Sequence, residues 1–366
     1  MLIGIDGSRA FLQQRTGIEE YSYQVIKHLR DKLQNHEVVL YVRSNQLVDF
    51  NLPENWKVKK LWLPYCSSQL RFSLEFLLNP VEALLVMAHT APPIHPSNTT
   101  VVIHGLEYEF VPKAFSWWGR FYMRVVIKNA CRWARKIVAV SANTKKDLMR
   151  LYNVPAEKIT VVYEGYDNEK SKAESLKSES NLKDKILNSK YLLFIGRLEE
   201  RKNIIGIIKA FEILKERYEI PHKLVLAGRF GYGSEDIQTE LEKTNSIKDI
   251  VLPGFVSEQE KWEFFRGADV FLFPTFYEGF GIPILEAQSV GTPVVASRNS
   301  SIPEVAGDSV LFAGAMNAEE IADATYELIS NKLTRDDIIK KGHENIKRFS
   351  WERCAEQLAE VLINEK

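Results

Sequence analysis

Short apolar runs alternate along the chain with longer stretches in which apolar positions recur every three or four residues, as buried strands followed by amphipathic helices do. Leu2 to Ile5 is a first strand, a polar loop ending in Arg15-Thr16-Gly17 follows, and Glu19 to Leu29 has helical spacing. Further strands are predicted at Val38 to Val42, Ala83 to Met87, Val101 to His104, Ile137 to Val140 and Ile159 to Val162. From Glu164 to Lys190 this rhythm stops: a mixture of Lys, Glu, Ser and Asn with almost no apolar periodicity reads as a linker. The alternation restarts with a strand at Tyr191 to Ile195 and a helix at Asn203 to Tyr218. Strands at Leu224 to Ala227, Ile250 to Leu252, Val270 to Pro274 and Pro293 to Ala296 follow.

Strand and helix in regular alternation predict an α/β fold with parallel sheets covered by helices. The economical arrangement is two Rossmann-like domains, 1–165 and 191–349, joined by a linker at 166–190. Ligands in such folds sit outside the carboxyl ends of the strands, so the loops after strands are where chemistry is expected.

Composition adds mainly exclusions. With 366 residues, 45% hydrophobic and 26% charged, the chain is globular and long enough for two cores. Its 48 basic and 48 acidic residues argue against a nucleic-acid partner. The balance hides an asymmetry: residues 1–163 hold 21 basic and 13 acidic residues, a surplus of eight that the remainder reverses. Cys66, Cys131 and Cys354 are dispersed and form no C-x-x-C pair, which suggests neither a disulfide framework nor a zinc site and fits a cytoplasmic protein. No apolar run approaches the ~18 residues of a membrane span. An acid at Asp6 comes too early for a signal peptide.

Two loops carry candidate chemistry. Gly196-Arg197-Leu198-Glu199-Glu200-Arg201-Lys202 follows a strand and precedes a helix, so backbone N–H groups joined by Arg197 and Lys202 would suit a diphosphate. The other reading of this loop is a solvated basic turn. Phe276-Tyr277-Glu278-Gly279-Phe280-Gly281-Ile282-Pro283-Ile284-Leu285-Glu286 puts one carboxylate in a Gly-rich loop and a second on the helix that Pro283 opens. Such carboxylates and free N–H groups discriminate polyols, because an unmatched buried acceptor costs about 1 to 3 kcal/mol.

Together with Gly291-Thr292-Pro293-Val294-Val295-Ala296, Ser301-Ile302-Pro303-Glu304-Val305, Val138-Ala139-Val140-Ser141, Leu226-Ala227-Gly228, Gly254-Phe255-Val256 and Phe349-Ser350-Trp351, these segments resemble the retaining glycosyltransferases of family 4 along essentially the whole chain. The resemblance implies the GT-B fold: two Rossmann-like domains with parallel sheets facing a central cleft, acceptor in the first and donor in the second. A last helix, about 350–366, would pack back on the first domain. It also implies roles. Arg197 and Lys202 would hold the donor diphosphate, with Gly196 in the same turn, and Glu286 the ribose hydroxyls. Glu278, with Gly279, Phe280 and Gly281, would read the donor sugar. Gly17 would approach the phosphate from the first domain, and Gly228 and Val256 would lie near the nucleotide. His104 corresponds to a histidine near the donor hexose, although the acid that often follows it is here Gly105. For His89, in another loop after a strand, loop packing is the preferred reading.

From these residues a nucleotide-sugar-dependent hexosyltransferase is expected, with a glycan or lipid-linked glycan acceptor and no metal, since no Asp-x-Asp motif accompanies the phosphate loop. GDP-mannose is the favoured donor and a UDP-hexose the next. The alternatives are a non-catalytic nucleotide-sugar-binding partner of another transferase and a nucleotide-sugar epimerase of the same fold. A nicotinamide dehydrogenase is disfavoured by the lack of G-x-G-x-x-G after either first strand. Residues 117–136 carry Arg120, Arg124, Lys128, Arg132 and Arg135 among Trp117, Trp118, Phe121, Tyr122 and Trp133, with no acid. This stretch is either a peripheral contact with an anionic membrane, on its inner face, or an ordinary solvated helix.

Overall fold

The structure, a computed structural model, describes residues 1–62, 68–166 and 189–364. Cys66, most of the linker predicted at 166–190 and residues 365–366 lie outside the described residues. The chain divides into two compact units: residues 1–106, 118–165 and 349–366 form one, and 107–117 with 166–348 form the other.

In the first unit, β1 (Leu2–Asp6), β2 (Glu37–Arg43) and β3 (Trp56–Leu61) are joined through α1 (Gly17–Leu29) and a loop, and α2 (Ser68–Leu78) leads on to β4 (Ala83–Val86) and β5 (Asn98–Ile103). The short α3 (Glu107–Phe110) then precedes α4 (Trp117–Trp133), β6 (Lys136–Ala139), α5 (Ala142–Tyr152) and β7 (Ile159–Val161). The seven strands are parallel and ordered β3-β2-β1-β4-β5-β6-β7. β4 and β5 are buried throughout, as strands covered on both faces must be. β3 went unpredicted because its sequence, Trp-Lys-Val-Lys-Lys-Leu, is that of a guarded sheet edge, where lysines discourage further pairing.

The second unit runs β8 (Tyr191–Ile195), α6 (Ile204–Tyr218), β9 (Lys223–Ala227), α7 (Glu235–Lys243), β10 (Ile250–Gly254), α8 (Glu258–Gly267) and β11 (Val270–Phe273). It continues with α9 (Ile282–Ser289), β12 (Val294–Ser297), α10 (Ile302–Ala306), β13 (Leu311–Ala313), α11 (Ala318–Ser330) and α12 (Lys332–Asn345). Six parallel strands are ordered β10-β9-β8-β11-β12-β13. Tyr191 to Phe194 and Val270 to Phe273 have no exposed surface. Burying one such side chain contributes about 1.5–3 kcal/mol, so these central strands anchor the core.

Two segments depart from a simple division of the chain at the linker. Residues 107–117 belong to the second unit rather than to a continuous 1–165, because Val111 and Ala114 bury themselves against Tyr277 and are packed by Phe115 and Phe276. After α12 the chain returns to the first unit as α13 (Trp351–Ile363), whose Ser350 cap accepts a hydrogen bond from the Arg353 N–H at 3.2 Å. α13 packs on α1, β4 and β5, burying Trp351, Cys354, Ala355, Leu358, Ala359 and Leu362. Among the described residues no helix is long and apolar enough to cross a membrane.

Candidate active site

The strand order of the second unit reverses between β8 and β11, so the loops that leave these two strands diverge and open a crevice at their carboxyl ends. After β8 the chain makes a 3-10 turn, Glu200–Lys202, and Asn203 follows in the left-handed conformation at φ 58°. Asn203 ties three segments together. Its Oδ1 accepts from the Gly206 N–H at 3.2 Å and caps α6, while its Nδ2 donates to the carbonyls of Pro274 at 2.9 Å and Ala315 at 2.6 Å. The Phe276 N–H donates to the Arg201 carbonyl at 2.9 Å, stitching the loop after β11 to the one after β8.

This stitching converges charged side chains that lie far apart in sequence. Lys202 Nζ donates to Glu278 Oε1 at 2.6 Å and lies 5.1 Å from the centre of the Phe273 ring. Arg201 donates to Glu278 Oε2 at 3.1 Å, to the Tyr277 carbonyl at 3.2 Å and to Glu199. Lys202 and Glu278 are both buried. Burial alone would raise the Glu278 carboxyl, but the charges of Lys202 and Arg201 and their hydrogen bonds outweigh it and hold the group below the usual glutamate value. Burial, then the neighbouring Arg201, pulls the Lys202 ammonium down against the attraction of Glu278. With donor and acceptor at 2.6 Å and a second cation on the carboxylate, we take the pair as ionised.

Two glycines fix the backbone around this cluster. A Cβ on Gly228, at φ 150°, would lie 1.8 Å from the Gly196 carbonyl oxygen, so the loops after β8 and β9 approach main chain to main chain. Gly281, at φ 117°, starts α9 in a conformation that side chains avoid, with Pro283 in the first turn. The Gly-rich loop is held from β12: Ser300 Oγ accepts from the Glu278 N–H at 2.8 Å, and Ser301 Oγ donates to the carbonyls of Glu278 and Phe280. Phe280 is buried and Gly279 half-buried.

Glu286 is buried on α9, where Lys261 of α8 donates to it at 2.7 Å and also reaches Glu258 at 3.1 Å. Burial would depress Lys261, but Glu286 and Glu258 more than compensate and hold it above the ordinary lysine value. Val256 is half-buried against the core after β10. Arg197, by contrast, is exposed and, among the described residues, in no ion pair. The structure therefore brings Lys202 and Glu278 together, leaves Arg197 exposed on the loop after β8, and gives Glu286 a cation of its own.

The remaining candidates belong to the first unit. Gly17 is exposed in the first turn of α1. His104 Nε2 faces the Met87 carbonyl at 2.8 Å and Nδ1 faces Glu164 Oε1 at 3.1 Å. The acid lacking beside His104 in sequence is thus supplied from beyond β7, 60 residues on. His89 is buried at φ 46°, its ring edge-on to His104 at 5.5 Å. Burial, then the neighbouring His104, holds the His89 imidazole well below its usual value.

Arg201, Lys261, Asn203 and Glu164 were not singled out from sequence. Each had only a weak signal: Arg201 adjoins Lys202, Asn203 opens a predicted helix, Lys261 stands three residues after Glu258, and Glu164 comes just after the predicted strand Ile159 to Val162. Among the described residues no three His, Cys, Asp or Glu side chains converge as a metal-binding set. A cavity of about 300 Å³ lies beside the cluster, lined by Lys113, Asn203, Gly206, Gly233, Phe276 and Met316.

Comparison with known proteins gives consistent relatives. Residues 15–170 match a family model described as Glycosyltransferase Family 4, and residues 174–345 one described as Glycosyl transferases group 1. The O-antigen chain mannosyltransferase B of Escherichia coli is 31% identical over 239 residues, which are 64% of this chain and 62% of that protein. The chain thus spans less than two thirds of that relative's length. Sucrose-phosphate synthase from Thermosynechococcus elongatus superposes over 98% of both chains with a TM-score of 0.77 at 16% identity. Anabaena HepE in complex with UDP-glucose superposes over 99% of both with a TM-score of 0.73 at 17% identity.

Proposed function

Because the chain belongs to glycosyltransferase family 4, with the two Rossmann-like domains of the GT-B fold, we propose that it moves a hexose from a nucleotide diphosphate sugar to a hydroxyl of a glycan or glycolipid, retaining the anomeric configuration. The observation that carries the reading is the Lys202–Glu278–Arg201 cluster at the point where the strand order reverses. An ammonium has three donors, so Lys202 can bond Glu278 and still offer hydrogens to phosphate oxygens. Each oxygen of Glu278 holds one cation and retains a lone pair for a sugar hydroxyl. Arg201 and Lys202 are matched by Glu199 and Glu278, so exposed Arg197 supplies the surplus positive charge.

In the proposed reaction the bond from the anomeric carbon to the diphosphate oxygen breaks and the acceptor oxygen bonds that carbon on the same face. The acceptor's proton passes to the departing phosphate oxygen, which keeps the bonding electrons. A cation about 4 Å from the charge that develops contributes roughly 4 kcal/mol at an effective dielectric of about 20. That is about three orders of magnitude in rate. Lys202 and Arg197 are proposed for this role, Glu286 for the ribose hydroxyls, Gly228 and Val256 for the nucleotide, and Gly279, Phe280 and Gly281 for the sugar. His104 is proposed to lie near the hexose, oriented by Glu164. No metal is required in this scheme. Activity abolished by EDTA and restored by magnesium would refute that part.

GDP-mannose is the favoured donor, in keeping with the Escherichia coli relative's name, and a UDP-hexose the second, in keeping with the HepE complex. Polysaccharide synthesis is the proposed setting. α4 exposes Trp118, Phe121 and Tyr122 in a stretch without acids, which supports contact with an anionic membrane. Absence of salt-sensitive sedimentation with anionic vesicles would remove that contact. The donor is tested by thermal shift with GDP-mannose, UDP-glucose, UDP-galactose and UDP-N-acetylglucosamine, followed by product analysis with and without acceptor. Stabilisation by none of them sinks the reading, and an isomerised sugar without acceptor favours the epimerase.

A further inference from the structure

Residues 107–117 connect β5 to α4 of the first unit yet are built into the second. Four contacts hold them there. The Phe110 ring stacks on Tyr277 with centres 4.6 Å apart and planes 11° from parallel. Val111 and Ala114 are buried against the same tyrosine. The turn Pro112–Ala114 packs on the turn Glu200–Lys202, and Lys113 borders the cavity beside Asn203. Glu107 adds negative charge near Arg201. Tyr277 is the residue before Glu278, and its carbonyl accepts one of the Arg201 hydrogen bonds.

We propose that 107–117 is a positioning strap, in which Phe110 acts through Tyr277 and Arg201 to hold the Glu278 carboxylate in place. Phe110 is linked to Glu278 through the Tyr277 ring and the Arg201 hydrogen bonds, so the role proposed for it is positioning. A single aromatic stack can bias a loop without deciding whether the unit folds. The strap begins three residues after His104, so the element that orients the sugar-reading loop is covalently continuous with the end of β5. The assignment of Glu278 to the sugar rests on the proposed function; the mechanical role of the strap does not.

The test uses the full chain and compares Phe110→Ala with Phe110→Tyr, which keeps the stacking face. Amide hydrogen exchange in 276–281 and 199–203 should accelerate about tenfold in Phe110→Ala, with β9 unchanged, and return to the wild-type rate in Phe110→Tyr. Exchange that is unchanged in those loops, or faster throughout the unit, overturns the strap. With a donor that the wild-type protein turns over, Phe110→Ala should raise KM for the donor about tenfold and leave kcat within a factor of three. An equal fall in kcat without a change in KM would also overturn it. Should wild type bind none of the nucleotide sugars, the functional reading fails and hydrogen exchange alone decides the strap.

Discussion

Lys202 is buried, so removing it does two things at once: it takes a cation from the proposed diphosphate site and leaves Glu278 with Arg201 as its remaining cation. Lys202→Ala should therefore lower kcat/KM by at least 100-fold, and Lys202→Arg should not restore it, because a planar fork cannot replace a point charge with three rotating donors. Steady-state kinetics check both. His89 yields a pH prediction. The unfolded chain takes up a proton on this imidazole near its ordinary value of 6.5 and the folded protein resists doing so, so stability falls as pH drops below 6.5. His89→Asn, chosen because asparagine tolerates the left-handed backbone there, should flatten that fall in urea titrations between pH 7 and 5. Lys202, Glu278 and Glu286 could be picked out in sequence as candidates by residue type and loop position. Their partners could not: Glu278 with Lys202 spans 76 residues, His104 with Glu164 spans 60, and Lys261 with Glu286 spans 25. Such pairings are created only when loops meet in the folded sheet.

At the scale of elements, two glycines of similar appearance in sequence have opposite consequences. Gly228→Ala drives a methyl group into the Gly196 carbonyl and should destabilise by more than about 3 kcal/mol, separating the loops after β8 and β9. Gly17→Ala meets nothing within 4 Å, in the first turn of a helix, and should stabilise by about 0.4–1 kcal/mol. If Gly17 approaches the diphosphate as the family resemblance implies, the same variant should lose activity while its denaturation midpoint rises. Chemical denaturation and turnover measured on the same preparations separate the two effects. Most strands were readable because they are apolar throughout, β8 and β11 above all. β3 was hidden by its lysines, and β13 is a three-residue edge strand with two of its residues only half-buried. The four-residue α3 is little more than one turn, too short for its period to repeat, and Phe110 at its end stacks on Tyr277, far along the chain.

The chain divides into two compact units, and the lull between Glu164 and Lys190 announced their number, if not their membership. Calorimetry should resolve two transitions. A bound nucleotide sugar at 100 times its Kd should add about 2.7 kcal/mol to the unit that binds it. That corresponds to roughly 5–10 °C in Tm for a unit of this size, with the transition of the 107–117 and 166–348 unit moving and the other lagging. Equal shifts of both would mean that the donor does not act on the second unit alone. The return of α13 has a consequence for how the protein is made. The sheet of the first unit is complete once residue 161 has been synthesised, yet the helix that covers α1, β4 and β5 does not begin until residue 351. At roughly 5–20 residues per second, an unfinished apolar face must wait on the order of 10–40 s on the ribosome. During that interval the second unit is the first that can close, so the half of the chain that is translated first is the last to become whole.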